Sequence, residues 1–296
     1  MERMDPGKKK KKSRGPPRRG LSIGRIPLYL WISLWAGTEL FILFWMTYTS
    51  FKTNAEFLRD IWALPSSLRF DNYINDLTGN TAPPVPVGQY LINSAIVSFG
   101  SVVGILAIAV PGGYALSKKS RVTDVLFFFF LAMIAVPPPA VLIPLFYTVR
   151  SLGLGNTYLG LILPYIAFNV PFSVVLARAF FKSFPRELEE AAKVDGLSDL
   201  GVFFRIVAPL SSIIVVVLLV VNFPNVWNEL LYAIVILQTD NVRTIQPGLL
   251  LFSSAFGSQW SQIFAGMILS SLPMIIFYII FQRYVAKAQF VGAVKG

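Results

Sequence analysis

The sequence predicts an all-α protein, a polytopic membrane helix bundle with six transmembrane helices. Three observations carry this. Of 296 residues, 55% are hydrophobic and 14% charged, against about 25% charged in an ordinary soluble domain. The apolar residues fall in runs near the ~20 residues that cross a hydrocarbon core as helix. Lys and Arg collect in alternate connecting segments, the asymmetry that orients spans.

The chain opens on GKKKKKSRGPPRRG, and residues 1–25 hold ten Lys/Arg against two acids, +8 of the net +11. No aromatic residues interleave these charges and a span follows at once. Residues 1–26 therefore read as a disordered basic cytoplasmic tail that fixes topology and touches anionic lipid, and no nucleic-acid partner is expected. The tail also lacks the small-residue cleavage site of a signal peptide. The membrane domain is 27–296, with spans at about 27–50, 89–117, 123–148, 158–181, 210–237 and 261–284. The third and fourth are rich in proline and are the least expected to be straight.

With the N-terminus cytoplasmic, the inside segments hold 20 Lys/Arg: the tail, Lys118, Lys119 and Arg121, then Lys182, Arg186, Lys193 and Arg205, then Arg283, Lys287 and Lys295. The outside segments hold five, Lys52, Arg59, Arg69, Arg150 and Arg243. Both termini are read as cytoplasmic. Arg178, near the inner end of the fourth span, is expected to snorkel. The longest outer loop, 51–88, is too short for a domain of its own. Pro111, Pro137, Pro138, Pro139, Pro144, Pro164, Pro171, Pro224 and Pro273 lie at or near membrane depth. Proline there frees backbone carbonyls, tolerated where they face protein or a water-filled cavity, which points to a moving, cavity-lining protein. The absence of Cys and His removes thiol nucleophiles, Ser-His-Asp chemistry and His/Cys metal sites; no metal or catalytic residue is expected.

One stretch breaks the apolar pattern. PRELEEAAKVDG, residues 185–196, holds Glu187, Glu189, Glu190 and Asp195. Ser183 and Pro185 suit a helix start, and the glutamates suit its positive end. Arg186–Glu190 and Glu189–Lys193 are expected i,i+4 pairs. Gly196 suits a left-handed stop, Ser198 caps a second short helix, and Pro209 ends it. Residues 183–209 thus read as helix, glycine turn, helix on the cytoplasmic face. Leu188, Ala191, Ala192 and Val194 are left exposed unless a partner protein covers them; the acidity argues against a negatively charged lipid surface.

EEAAKVDGLSDLGVFFRIVAPL resembles the EAA loop of binding-protein-dependent ABC importer permeases. The family spacing is met by Glu190, Ala191, Ala192, Gly196, Ile206 and Pro209, with Ala208 where Leu is usual; Asp195 stands beside the glycine. INSAIVS (92–98), GYALSKK (113–119), LGLGNTYLGLILPY (152–165), WNELLYAIVIL (227–237) and the closing FQRYV and GAVKG are similar to the six-span permeases of carbohydrate importers of the maltose-system type. The oligo-lysine tail departs from that subfamily. The resemblance implies the type I ABC importer transmembrane fold, a second, different permease chain, two ATPase subunits that dock on the loop, and an extracytoplasmic solute-binding protein, in a bacterial or archaeal cell membrane. It implies a sugar or oligosaccharide as cargo, with a non-sugar solute such as a glycerol phosphate as the alternative. No phosphate-binding loop is present: GGYALSKKS lacks the second glycine. ATP and Mg are therefore expected on partner subunits, with no cofactor on this chain and no enzymatic activity of its own.

Two acids fall inside spans, Glu39 and Glu229. Asn222, Asn225, Trp227, Asn228 and Tyr232 cluster near Glu229 around Pro224, amides, aromatics and a carboxylate of the kind a sugar hydroxyl surface would meet. Asn225, Trp227, Asn228, Glu229 and Tyr232 are the candidate substrate pathway. Hydrogen bonding across helices is the competing role for them, the favoured one for Glu39, and an alternative for Asn93 and Asn169. An ion-coupled secondary transporter would call for intramembrane charge pairs and inverted repeats, and neither is visible; a membrane scaffold would leave the prolines without a purpose.

Overall fold

In a computed structural model of the chain, which describes residues 26–80, 86–257 and 259–293, every regular element among the described residues is helical. The basic tail lies outside them but for Ile26. Two compact units divide the chain, 1–46 and 47–296. The described part of the first is residues 26–46 of helix α1 (Ile26–Ser50), with Glu39 midway along the helix. At 25 residues and ~1.5 Å rise each, α1 is long enough to span a bilayer.

The second unit is built on α4 (Val87–Ser117) packed along α7 (Tyr158–Phe181). Small residues let the two backbones approach. A Cβ at Gly104 would lie 2.3 Å from Ile166 Cδ1, and one at Gly113 would lie 2.4 Å from Ala177 Cβ and 2.8 Å from the Arg178 nitrogen. Hydrocarbon offers no hydrophobic drive between helices, so close packing of this kind must hold them. Ile105, Ala109, Leu161, Val174 and Ala177 are wholly buried along the seam. α11 (Ser212–Trp227) joins it through a polar clamp: Asn222 Nδ2 donates to Ser173 Oγ at 3.0 Å and to the Leu218 carbonyl at 2.7 Å.

Among the described residues, four helices are long and apolar enough to span alone: α1, α4, α7 and the 260–284 part of α14 (Trp260–Ala293). Two bent pairs complete six if each crosses as one span. The third span breaks at 86° between α5 (Arg121–Ile134) and the 3-10 turn Pro138–Val141 that leads into α6 (Leu142–Ser151). Three consecutive prolines cannot donate backbone hydrogen bonds, and each disfavours α-helical geometry in its predecessor. The fourth span, expected to be irregular, is the single helix α7: Pro164 and Pro171 are buried within it, where neighbouring helices satisfy what a proline frees. The fifth is interrupted twice. It bends by 69° where the loop 199–210 enters α11, and stops at Trp227 before the short α12 (Leu231–Ile236).

Away from the loop 182–209, the opposite end of this unit is closed by α2 (Asn54–Arg59), α3 (Asp71–Thr78) and α13 (Ile245–Phe256). Thr53 and Glu56 form a capping box on α2, and those hydrogen bonds, with Ser66, hold the Glu56 carboxyl down at about 2. The orphan backbone donors of a helix start favour such an acceptor. Asn54 Oδ1 accepts from the Trp260 nitrogen at 3.1 Å, joining α2 to the start of α14. α3 docks on α14 through Asp76, which is fully buried, accepts one hydrogen bond from Gln262 Nε2 at 3.1 Å, and leaves Oδ2 without a partner.

Burial pushes the Asp76 carboxyl from about 3.8 up to about 7, and the Gln262 contact offsets this only in part. The folded chain keeps a proton that the unfolded chain releases above about pH 4. This contribution to stability is therefore full below about pH 4, declines as pH rises to about 7, and is constant beyond. Asp76→Asn, neutral throughout, should flatten the slope of the thermal midpoint between about pH 4.5 and 7 and unfold later than wild type at neutral pH. The expected gain is on the order of 2–4 kcal/mol; an unchanged slope would show that the carboxyl ionises freely.

Candidate functional site

The expected helix–turn–helix is present. α8 (Arg186–Val194) follows Pro185. It ends in a two-bond left-handed stop: Gly196, at φ +83°, donates to the Lys193 carbonyl at 3.0 Å, and Leu197 donates to the Ala192 carbonyl at 3.1 Å. A Cβ at Gly196 would touch nothing within 4 Å, so glycine is required there by backbone geometry and not by space. Ser198 Oγ accepts from the Gly201 nitrogen at 3.2 Å and starts α9 (Asp199–Val202). A π-helical segment, Phe203–Val207, carries half-buried Ile206 against the core. Pro209 follows in the last short turn, α10 (Ala208–Leu210).

The faces of α8 differ from the expectation in two respects. Ala192 is buried against the bundle core, while Leu188, Ala191 and Val194 stay exposed, Val194 at 87%. Spacings of three place those three on one side of the helix, beside exposed Glu187, Glu190 and Asp195. The i,i+4 ion pairs do not form. Lys193 pairs with Asp199 at 2.7 Å, across the glycine turn, which holds Lys193 above its usual range. Glu189 turns inward to Lys118, 71 residues away, and Arg186–Glu190 is not among the ion pairs of the described residues. The glycine turn brings Asp199 closer to Lys193 than a straight helix would, and the core-facing side of α8 presents Glu189 to the end of α4.

Arg178 does not snorkel. It is 6% exposed; Nε donates to the Leu116 carbonyl at 2.8 Å, Nη2 to Asp124 Oδ1 at 2.8 Å, and the guanidinium lies 3.7 Å from the Phe127 ring centroid. A buried cation is tolerable only with partners of this kind. Lys118, Glu189 and Asp124 carried no sequence signal for these contacts: each is an ordinary loop or helix-end charge until the fold brings it to its partner.

Among the pathway candidates, side chains divide by whether their polar groups are already engaged. Glu229 accepts from Tyr165 Oη at 2.5 Å, from the Tyr232 nitrogen at 3.0 Å and from the Ala233 nitrogen at 3.3 Å, so it caps α12 and ties it to α7. Tyr232 donates to the Pro138 carbonyl and stacks on Phe168 with centroids 5.2 Å apart. Trp227 is buried and stacked on Phe223, and its indole N–H finds no acceptor among the described residues. Asn93 is saturated: it donates to the carbonyls of Asn241 and Arg243 and accepts from Gln89 and Tyr158. Asn169 donates to the Tyr165 carbonyl one turn back. Asn225 and Asn228 are exposed, with one long contact between them, from Gln246 to Asn228 at 3.4 Å.

A bundle of spanning helices, broken by proline and carrying a rigid polar elbow with an apolar stripe at one end, is a membrane transport component that works with a partner. The chain belongs to the family of binding-protein-dependent transport system inner membrane components, whose model matches residues 91–291. It is 34% identical to the probable ABC transporter permease YurM of Bacillus subtilis, over 95% of this chain and 92% of that one. It is 30% identical to the arabinooligosaccharide transport system permease of the same organism, over 93% and 97%. The crystal structure of a bacterial ABC transporter involved in import of the acidic polysaccharide alginate has a chain that superposes with a TM-score of 0.74 at 24% identity, covering 89% of this chain and 98% of that one. That likeness concerns the fold, the type I ABC importer transmembrane fold.

Glu229→Gln places amide hydrogens where three donors converge, and Tyr165→Phe removes one of those donors. Each should lower the thermal midpoint of the purified protein, by about 1–3 kcal/mol in stability. Asn228→Ala, on an exposed side chain, should stay within about 0.5 kcal/mol of wild type. Equal midpoints for all four proteins would remove Glu229 from its capping role.

Proposed function

We propose that this chain is one of two permease subunits of an importer for a sugar or oligosaccharide, with the pathway between it and a second, different permease. An extracytoplasmic binding protein delivers the solute to the end formed by 51–80 and 238–262. A pair of ATPase subunits, which hold ATP and Mg, docks on the loop 183–209 at the cytoplasmic end. The cargo reading is supported by the arabinooligosaccharide permease. The orientation is supported by the distribution of Lys and Arg, and both termini then lie in the cytoplasm.

The observation that carries the proposal is the exposed stripe Leu188, Ala191, Val194 on α8. An apolar stripe on an otherwise acidic loop, held rigid by a glycine stop and a serine cap, is the form of a docking element. The ATPases close on ATP, displace α8, and switch the bundle between inward- and outward-facing states. In this reading Glu190, Ala191, Asp195 and Gly196 serve the docked face, with Ala192, Ile206 and Pro209 seating the loop on the bundle. Asn225 and Asn228 are the members of the polar cluster free to meet the solute; Trp227, Glu229 and Tyr232 shape the wall behind them.

The test is the purified complex in lipid. Ala191→Trp adds bulk to the docking face without altering the backbone. It should still insert in the membrane, and should lose either ATPase binding or stimulated hydrolysis, by about tenfold or more. Separately, in intact cells, a cysteine replacing Ser67 should react with an impermeant maleimide, and one replacing Ser198 should not. Full ATPase coupling in Ala191→Trp would remove the loop from its docking role, and reversed labelling would invert the orientation.

A further inference from the structure

Resting on the docking role proposed for α8, we infer that the Lys118–Glu189 contact hands the movement of this loop to α4, and that Arg178 makes α4, α5 and α7 the single body that is moved. α8 is tied by the chain itself to α7 on one side and, through α9, to α11 on the other. The third tie is not covalent. Of the three glutamates of α8, Glu189 alone is withdrawn, its side chain 13% exposed and paired with Lys118, the residue that ends α4. The Lys118 ammonium also donates to Tyr114 Oη at 3.0 Å and lies 4.3 Å from that ring's centroid. Tyr114 reaches the other arm of the loop: its ring is 5.2 Å from Phe203 in the π-helical segment and 5.5 Å from Phe181 at the end of α7. The last turn of α4 therefore touches both arms of the loop.

What lies behind that turn is stiff. Gly113 is pressed on Ala177. Arg178 binds the Leu116 carbonyl at the end of α4, the Asp124 carboxylate in the first turn of α5 and the Phe127 ring with one buried guanidinium. An ion pair with one exposed partner forms and breaks readily, whereas stripping a buried cation of its partners is costly. A weak joint in front of a rigid block suits a contact that is remade in the course of a cycle. A push on Leu188 and Ala191 then reaches α4 through Glu189, and α4 is the helix packed against α7, α11 and α13 alike.

The chain contains no cysteine, so two introduced thiols are unique labels. Spin labels at Ile96 on α4 and Leu272 on α14, both exposed positions, report the motion in the reconstituted complex with its second permease and ATPase subunits. The probe is ATP with vanadate. Lys118→Glu and Glu189→Lys should each keep the ATPase subunits bound and hydrolysing ATP, while the trapped population with a shifted label distance falls about fivefold or more. The double swap should recover it to within about twofold of wild type, because it remakes the pair; a merely structural contact would instead lower ATPase binding and hydrolysis together with the shift in the single variants. A full shift in either single variant, or no recovery in the swap, overturns the inference. Release of the ATPase subunits by the single variants would overturn it too, placing Glu189 in the docking face and leaving the docking role standing. Full ATPase binding and full stimulated hydrolysis in an Ala191→Trp complex, with Lys118 and Glu189 unchanged, would instead sink that role, and the relay with it.

Discussion

The seam between α4 and α7 is the contact on which the other features rest. Lipid tails are as apolar as leucine, so two spans stay together only through contacts lipid cannot imitate. Gly104 against Ile166 and Gly113 against Ala177 supply such contacts by bringing the helices closer than side chains with a Cβ would allow. That closeness puts Arg178 beside the Leu116 carbonyl and lets a single guanidinium close the ends of three helices. It also fixes where α4 stops, and hence where Tyr114 and Lys118 meet the loop. At the other end of α4, Asn93 binds two backbone carbonyls of the 238–245 connection. The helix is thus anchored by polar groups at both ends and by shape between them.

Much of this was legible in the residues. Long apolar runs and the Lys/Arg asymmetry give the helical membrane bundle, because a bilayer permits few other solutions. The elbow of the loop was equally plain: a left-handed stop wants Gly196, and a helix start wants Ser198. The errors share a cause. Pro164 and Pro171 read much as Pro137 to Pro139 do, yet the first two sit buried in a continuous helix and the three in a row break one. Ala192 and Ala191 are neighbours of the same type, and only packing decides which is covered. Local spacing pairs Lys193 with Glu189, yet the turn that follows gives it Asp199, and Glu189 meets its partner in another helix altogether. A cation near the end of a span reads as a snorkelling one, and the residues that hold Arg178 inside come from elsewhere in the chain.

The polar cluster after Pro224 shows how engagement separates candidates that composition makes equal. Glu229 and Tyr232 use their groups to attach α12 to α7 and to the Pro138 turn. Asn222 joins α11 to α7. Asn225 and Asn228 keep most of their donors and acceptors unspent. In the loop the logic is reversed: the groups left over are apolar ones, Leu188, Ala191 and Val194, in a segment whose charges are largely solvated or paired. In both places it is engagement within the fold, and not residue type, that separates the side chains.

Helix α5 has a consequence of another sort. None of its residues is buried, and Phe127 to Phe130 stand in an unbroken row. Consecutive helical positions are turned by ~100°, so four in a row point in every direction around the axis. The surface they make is nearly isotropic. Turning such a helix about its own axis replaces one phenyl ring by another, and the hydrocarbon it touches registers almost no change in transfer free energy. Its azimuth is therefore set by the few groups the protein itself engages: the Ser120 cap, the Asp124–Arg178 bond, Phe127 under that guanidinium and Phe130 against the core. Lipid gives such a helix no preferred face, and the bundle alone decides which ring it keeps.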